Sequence, residues 1–258
     1  MTDLEATDVV PGTVITREMV DGLPDPVARY LSHSGVVGKP AVSKVRIRQT
    51  GRMRSSNEKP WMPITAVETY SIDPPGFDWK GTVRFGGIPL IRPHDIFANG
   101  RGHMRVTLAG LIMLWDLEGD QMDQGSLMRY LNEMVWFPTA FLGNNITWSA
   151  VDERSAQVSI TDHGQTATAT MYFDELGRPR DFVTHRYRHL GKGKFSLDEW
   201  ATPFTEHGEL GGFRLPVAGR AEWRLASGTI VYAELRLTSG EYAGSNQSAG
   251  HSVAGSDR

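Results

Sequence analysis

The stretch KVRIRQTGRMR, residues 44–54, alternates between apolar or small residues and arginines. One face of an extended chain would carry Val45, Ile47, Gln49, Gly51 and Met53. The opposite face would carry four arginines. A period of two is typical of a β-strand with one buried and one solvated face. This stretch therefore predicts a mainly β protein.

The same alternation recurs along most of the chain, with short turn signals such as DERS, DHGQ and ASG between the segments. Consecutive strands joined by short turns favour an antiparallel meander. Roughly ten such strands would expose long edges unless the sheet closes. We therefore expect a roughly ten-stranded, closed or nearly closed barrel with a ligand cavity. The apolar run LIMLWDL, residues 111–117, is expected to be a strand covered on both faces.

Two segments predict helices. In LPDPVARYLSHSG, residues 23–35, Pro26 marks the start of a short N-terminal helix and Gly35 its end. Residues from about Asp123 to Leu142 predict one long helix, which Pro138 must kink or end. The predicted organisation is a lead-in over 1–22, a single barrel domain over 23–241 and a small, polar, disordered tail over 242–258.

Composition limits the partners. The 258 residues carry a net charge of -3 with scattered lysines and arginines, which argues against nucleic acid or an anionic membrane as partner. The absence of cysteine excludes disulfides, thiolate catalysis and cysteine-held metals. No signal peptide and no apolar run of about 20 residues is visible, so we expect a soluble cytoplasmic protein. The oligomeric state is not indicated.

Three polar residues interrupt apolar rows of the predicted strands: Gln49, Glu68 and His94. A buried carboxylate without a partner is costly, so Glu68 must either form an internal hydrogen bond or face a cavity. Several such residues inside one barrel would suit acid and base catalysis. Tyr70 shares the phase of Glu68, whereas Asp95 falls on the outward phase of its strand.

The helix motif RYLNEMVWFP, residues 129–138, carries a second polar group. Arg129 and Glu133 are four residues apart and can form an ion pair, and Trp136 lies on the same stripe. Either this pair is a solvated or interfacial salt bridge, or the stripe faces the barrel mouth. Asp116 flanks the same region. His185 and His189 share a strand face without an obvious third ligand, so no metal is expected.

Several segments resemble a bacterial domain family without an assigned function. They include LPDPVARYLSHSGVVGKP, VRIRQTGRMR, PPGFDW, DIFANGRGHM, RYLNEMVWFPTAFL and ITWSAVDERSA. The similarity extends from about Leu23 to Tyr232, and the helix motif is its most specific part. Many relatives look membrane-tethered at the N-terminus. This sequence lacks such a segment, which implies a soluble offshoot.

The chain also resembles the spiroacetal cyclases of oligomycin- and ossamycin-type polyketide pathways. That resemblance implies a soluble β-barrel with a polar cluster in its cavity and neither metal nor cofactor. The substrate would be a large, mostly apolar polyketide, closed to a spiroacetal by general acid and base catalysis. The alternative is a non-catalytic barrel that binds or carries an apolar, lipid-like molecule.

Strand phase and helix spacing supply the candidate residues for the cyclase hypothesis. Glu68 and Glu133 would share the acid and base roles. His94 would assist them by orienting substrate oxygens. The predicted substrate contacts are Gln49, Tyr70, Arg129, Trp136, Trp61, Trp115 and Asp116.

Overall fold

The computed structural model describes residues 9–244 and 251–252. Over these residues the helices are α1 (Arg17–Asp21), α2 (Asp25–Ser34) and α3 (Asp120–Glu133), followed by short 3-10 helices at Met134–Trp136 and Pro138–Leu142. The strands before α3 are β1 (Lys44–Met53), β2 (Met62–Ser71), β3 (Gly76–Phe85), β4 (Ile88–Ala98), β5 (Arg101–Leu108) and β6 (Ile112–Leu117). The strands after it are β7 (Ile146–Asp152), β8 (Ser155–Asp162), β9 (Gln165–Phe173), β10 (Pro179–Gly191), β11 (Lys194–Ala201), β12 (Phe204–Leu210), β13 (Phe213–Leu225), β14 (Gly228–Ala243) and β15 (His251–Ser252).

The strands form one antiparallel sheet in the order β6-β5-β4-β3-β2-β1-β14-β13-β11-β10-β9-β8-β7, with β12 paired to β13 and β15 to β14. Its two ends, β6 and β7, do not pair with each other. The predicted ten-stranded, closed or nearly closed barrel is therefore wrong, although the mainly β, antiparallel class with one long helix is confirmed. Strand patterns and turn lengths indicate which consecutive strands pair, but they do not indicate whether the two end strands of the sheet pair with each other.

Helix α3 packs against both halves of the open sheet. In the chain it connects β6 to β7, the two strands that end the sheet. It packs against β4 and β5 near the β6 end of the sheet and against β8, β9 and β10 near the β7 end. The sheet therefore curves around the helix, and we call the side that faces α3 the concave face.

A glycine permits the close approach of α3 to β5. A Cβ atom added to Gly102 would lie 2.5 Å from the carbonyl oxygen of Met122 and would also overlap Ser126. Asp123 fixes the same contact, because its carboxylate accepts hydrogen bonds from the Gly102 backbone N–H and the Arg101 guanidinium, each 2.8 Å long. Helix α3 and strand β5 are thus held together by close packing at Gly102 and by the hydrogen bonds of the Asp123 carboxylate.

The helix predictions are confirmed in part. Helix α2 begins with Pro26 in its first turn and ends at Gly35, whose φ of 78° is left-handed. The predicted long helix is shorter, since α3 ends at Glu133 and Pro138 begins a separate 3-10 helix. The predicted lead-in contains α1, while residues 1–8 lie outside the described part of the chain.

The first two residues of the predicted tail over 242–258 lie in a strand. Strand β14 extends to Ala243, and the Tyr242 side chain is buried. Residues 245–250 and 253–258 of the predicted tail lie outside the described part of the chain. Between them, residues 251–252 form the short strand β15.

The apolar run at residues 111–117 is also placed differently from the prediction. It forms β6, which among the described strands pairs only with β5 and is exposed along Ile112–Asp116. A continuous apolar run is compatible with a covered strand and with an exposed edge, and the sequence pattern does not separate the two. Among the described helices, none has the length and hydropathy needed to cross a membrane.

We predict that Gly102→Ala destabilises the fold by about 1–3 kcal/mol, because the new methyl group would overlap the backbone of α3. The matched control is Gly125→Ala within α3, where a Cβ atom would meet Arg186 at an ordinary 3.5 Å. Alanine favours a helix interior over glycine by up to about 1 kcal/mol, so this control should be neutral or stabilising. Urea unfolding measures both. Equal stability of the two variants would contradict the prediction.

Candidate functional site

Arg129 on α3 places its guanidinium against three carboxyl groups. Its Nη2, Nη1 and Nε atoms lie 2.7, 2.7 and 2.8 Å from oxygens of Glu68, Asp95 and Glu133. Glu68 comes from β2, Asp95 from β4 and Glu133 from the last turn of α3. All three carboxyl groups are buried, and the Arg129 side chain is only 14% exposed. We call these four residues the Arg129 cluster.

Three further side chains complete the hydrogen bonding of the cluster. The amide nitrogen of Gln49 donates to Glu68 over 3.0 Å, and the indole N–H of Trp79 donates to the Gln49 oxygen over 2.9 Å. The Tyr70 hydroxyl donates to Glu133 over 3.2 Å. The structure therefore brings together five predicted site residues: Gln49, Glu68, Tyr70, Arg129 and Glu133.

Strand register explains why these groups meet. Glu68, Trp79 and Asp95 lie directly opposite one another on β2, β3 and β4. Residues opposite each other in antiparallel strands project from the same face of a sheet. The Arg129 guanidinium also lies over the Trp79 ring, 5.1 Å from its centroid. A planar cation thus packs on an aromatic face while its edge meets the carboxyl groups.

The predicted phase of β4 is wrong by one residue. Asp95, predicted to point outward, is buried in the cluster, whereas His94 projects from the other face and pairs with Asp78 at 2.7 Å. The sequence HDIFA has apolar residues in both phases, with Ile96 in one and Phe97 in the other. Alternation alone therefore could not orient this strand, and His94 does not join the cluster.

The predicted tryptophans are dispersed. Trp61 contacts Arg52 and Arg54, whose guanidinium carbons lie 4.7 and 4.3 Å from the ring centroid. Trp136 packs edge-on against Tyr70, with 6.4 Å between ring centroids. Only Trp136 among the three predicted tryptophans is therefore close to the Arg129 cluster.

The remaining predicted contacts lie on the exposed strand β6. Trp115 is half exposed, and its ring centroid lies 6.4 Å from that of His189 on β10. Asp116 pairs with His103 at 2.5 Å on the neighbouring strand β5. These two residues belong to the edge of the sheet and not to the buried cluster.

Burial governs the protonation of the cluster. It raises the pKa of Glu68 well above the ordinary value of 4.5; Arg129 lowers this pKa and the nearby Glu133 raises it further. Burial also raises the pKa of Tyr70, and Glu133 and Glu68 add to that rise. Burial alone would lower the pKa of Arg129, but the three surrounding carboxyl groups hold it well above its usual range. The guanidinium therefore stays charged.

The cluster is arranged for attachment of the helix. Glu68 has no exposed surface, and its two oxygens already accept hydrogen bonds from Arg129 and Gln49. Asp95 keeps one buried oxygen without a hydrogen-bond partner. Among residues 9–244 and 251–252, no group of three or more histidine, aspartate or glutamate side chains is placed to hold a metal ion.

A second feature of the concave face is a continuous apolar row across eight strands. Each step joins directly paired residues, except that on β2 the row passes from Met62 to Ile64, which share a face. The row comprises Ala221, Ala233, Met53, Met62, Ile64, Val83, Ile91, Leu108 and Ile112. We call it the apolar row.

The apolar row lies beside the Arg129 cluster on the same face. Ile64 is four residues from Glu68 on β2, and Ile91 is four residues from Asp95 on β4, a displacement of about 13 Å along the strands. Met53, Ile91 and Leu108 remain partly exposed. Helix α3 therefore anchors at the cluster and leaves part of the row uncovered.

Aromatic residues flank one end of the apolar row. Trp200 pairs with Trp223 across β11 and β13, and Trp223 stacks on Tyr232 with 6.2 Å between ring centroids. The Trp200 indole N–H donates to the Tyr232 hydroxyl over 2.9 Å. Arg188 lies over the Trp223 ring at 6.0 Å. The other end of the row is the exposed strand β6.

Two features of the candidate site were not predicted from the sequence. Asp95 was placed on the wrong face, and Trp79, which opposes it, gave no polar signal. The apolar row depends on the register between strands that are up to about 180 residues apart in the chain, as in the pair Met53 and Ala233. Its members looked like ordinary core positions, and the partial exposure of Met53, Ile91 and Leu108 is what distinguishes the row.

Comparison with known proteins gives a family match. The family described as "Family of unknown function (DUF6544)" matches residues 13–235. No curated protein matches the chain.

Three solved structures are similar in fold. A DUF1329 family protein from Desulfovibrio piger gives a TM-score of 0.48 at 11% identity, covering 92% of this chain and 94% of that one. A putative outer membrane lipoprotein-sorting protein domain from Vibrio parahaemolyticus gives 0.44 at 8%, covering 88% and 92%. A LolA superfamily protein from Nitrosomonas europaea gives 0.44 at 7%, covering 89% and 94%. Similarity this distant does not identify a ligand.

We predict that Arg129→Met destabilises the protein by about 3–5 kcal/mol, because three carboxyl groups would stay buried without their cation. The control is Arg154→Met, which removes an exposed pair with Glu175 and should cost less than about 1 kcal/mol. Chemical denaturation of both variants measures the difference. Comparable losses would show that the cluster is not what attaches α3.

A second prediction concerns pH. Because the folded state raises the pKa of Glu68, the resulting stabilisation is fully present below 4.5 and is lost as pH rises through the folded pKa. Glu68→Gln removes this titration, so the variant should lose less stability than the wild type over that window. The measurement is urea unfolding between about pH 4 and pH 9. The exposed Glu175→Gln serves as control, and an unchanged pH profile in Glu68→Gln would contradict the prediction.

Proposed function

Since the chain belongs to the DUF6544 family, which has no assigned function, we propose from its own geometry that it binds an apolar, lipid-like molecule on the concave face. The observation that carries this proposal is the apolar row, which is continuous from Ala221 to Ile112 and only partly covered. Apolar surface that stays open beside a rigid core favours an apolar ligand. The ligand would lie along the row, between the aromatic residues and β6.

The two ends of the apolar row support an elongated ligand. Trp223 and Tyr232 offer broad ring surfaces at one end. Beside them, Arg188 lies over the Trp223 ring and is partly exposed, with its Nε paired to Asp198 at 2.7 Å. Ile112, on the free edge, opens the other end to solvent. A molecule with a long apolar part and a small polar head would match this distribution of groups.

Binding of this kind requires no turnover at the Arg129 cluster. Glu68 is fully buried and both of its oxygens are occupied, so the cluster serves the proposal as the anchor that holds α3 and keeps the sheet open. Cyclisation of a polyketide by Glu68 and Glu133 remains a prediction. Conversion of an acyclic hydroxyketone by the wild type, and its loss in Glu68→Gln and Glu133→Gln, would favour catalysis.

We predict that the protein saturably binds a fluorescent fatty acid and that Ile91→Glu weakens this binding at least about tenfold, because a charge would enter the apolar row. Titration of the probe, followed by displacement with an unlabelled fatty acid, measures the affinity. The milder Leu108→Gln should weaken binding in the same direction.

The matched control for this experiment is Val151→Glu on β7, an exposed position remote from the apolar row. It should bind the probe as the wild type does. Circular dichroism and urea midpoints show whether each variant is folded. Absence of saturable binding by the wild type, or wild-type affinity in both folded row variants, would overturn the proposal.

A further inference from the structure

We infer that two neighbouring hairpin tips form a surface that docks onto an anionic lipid membrane. The tips are the β3–β4 and β5–β6 turns, and their exposed apolar residues are Phe85, Ile88, Leu111 and Ile112. We call these four residues the apolar tips. This inference goes beyond binding of a single lipid-like molecule, because it concerns a different partner and a surface that shares only Ile112 with the apolar row.

The two hairpins present the apolar tips side by side. Strands β3 to β6 are consecutive and antiparallel, so both turns lie at the same end of the sheet. The backbone N–H of Ala109 in the second turn donates to the carbonyl oxygen of Leu90, next to the first turn, over 2.7 Å. This hydrogen bond fixes the second tip against the strand that leaves the first.

The exposure of the apolar tips is unusual for residues of this size. Phe85 is 62% exposed, Ile88 65%, Leu111 88% and Ile112 59%. Single exposed apolar residues are common, but an adjacent group of large ones indicates an interaction surface. The pattern FGGI in the first turn also uses two glycines with φ of 55° and 85°, which give a tight, narrow tip.

The scattered charges of the whole chain argue against an anionic membrane, but the local charges behind the apolar tips favour one. Arg84 pairs in register with Pro89 in the first hairpin. Arg92 on β4 lies opposite Thr107, which is next to the last residue of β5 before the second turn. Within the described residues, neither arginine forms an ion pair. Arg105, by contrast, lies 3.6 Å from Asp116.

Acidic residues are almost absent from this part of the chain. Over residues 81–115 the single acidic residue is Asp95, which is buried with Arg129. The surface therefore offers apolar groups at the outermost positions and unpaired guanidinium groups one step behind them. A membrane interface presents the complementary layers, acyl chains inside and anionic phosphates outside. A protein partner would not require this order of layers.

Vesicle flotation tests the inference with the full chain. The probes are vesicles of phosphatidylcholine alone and of phosphatidylcholine with phosphatidylglycerol. We expect the wild type to float with the anionic vesicles and to dissociate as salt is added. Phe85→Ser combined with Leu111→Ser should lower the partition coefficient by about tenfold or more. Arg84→Gln with Arg92→Gln should lower it by roughly fivefold per arginine on anionic vesicles only.

Two matched controls accompany these variants. Val151→Ser with Leu176→Ser removes two exposed apolar residues elsewhere, and Arg46→Gln with Arg48→Gln removes two exposed arginines from the outer face of β1. Both should float like the wild type. Binding of the fluorescent fatty acid in solution should be unchanged in the Phe85/Leu111 variant, which separates this inference from the proposed function.

Three outcomes would overturn the inference. The wild type could stay at the bottom of the gradient with anionic vesicles, or the Phe85/Leu111 variant could float as well as the wild type. Thirdly, size-exclusion chromatography with light scattering could give a wild-type dimer and a monomeric Phe85/Leu111 variant. That result would make the apolar tips a contact between two copies of the chain.

Discussion

The ion pairs of Arg129 are the interaction on which the rest of the structure depends. A sheet whose end strands do not pair has no hydrogen bonds to hold its curvature, so the contacts with α3 must supply it. Arg129 joins α3 to β2 and β4 at once through Glu68 and Asp95. Buried ion pairs contribute little net stability because desolvation offsets their attraction, but removing one partner is expensive. The cluster therefore specifies one position of the helix more than it strengthens the fold.

The open apolar surface follows from the position of α3 that the Arg129 cluster fixes. A closed barrel of the same strands would pair β6 with β7 and cover the edge. Here α3 fills part of the concave face near the cluster, and Asp123 with Gly102 fixes it close to β5. The neighbouring apolar row is then only partly covered, and Met53, Ile91 and Leu108 stay partly exposed. Because the sheet packs around α3 and does not close, the apolar row is partly uncovered and the edge of β6 is free.

The sequence predicted the local structure well and the long-range structure poorly. Alternation in residues 44–54 identified β1. On β2, a single carboxylate among apolar positions indicated that Glu68 needs a partner, and Arg129 and Gln49 provide it. The partner Asp95 was missed because HDIFA is apolar in both phases. The edge position of β6 was missed because an apolar run looks the same in a covered strand. Each failure concerns contacts between distant segments, which single-strand patterns do not encode.

The pairing of β1 with β14 has a consequence for the order of folding. It is the seam between the six strands that precede α3 and those that follow it, and it joins Lys44 to Ala243, nearly the whole described chain apart. Loop closure over such a distance is entropically costly and slows folding. During synthesis on the ribosome, the edge of β1 that pairs with β14 would stay unpaired until β14 emerges. The first half of the sheet is thus the stretch for which a chaperone would matter most during synthesis.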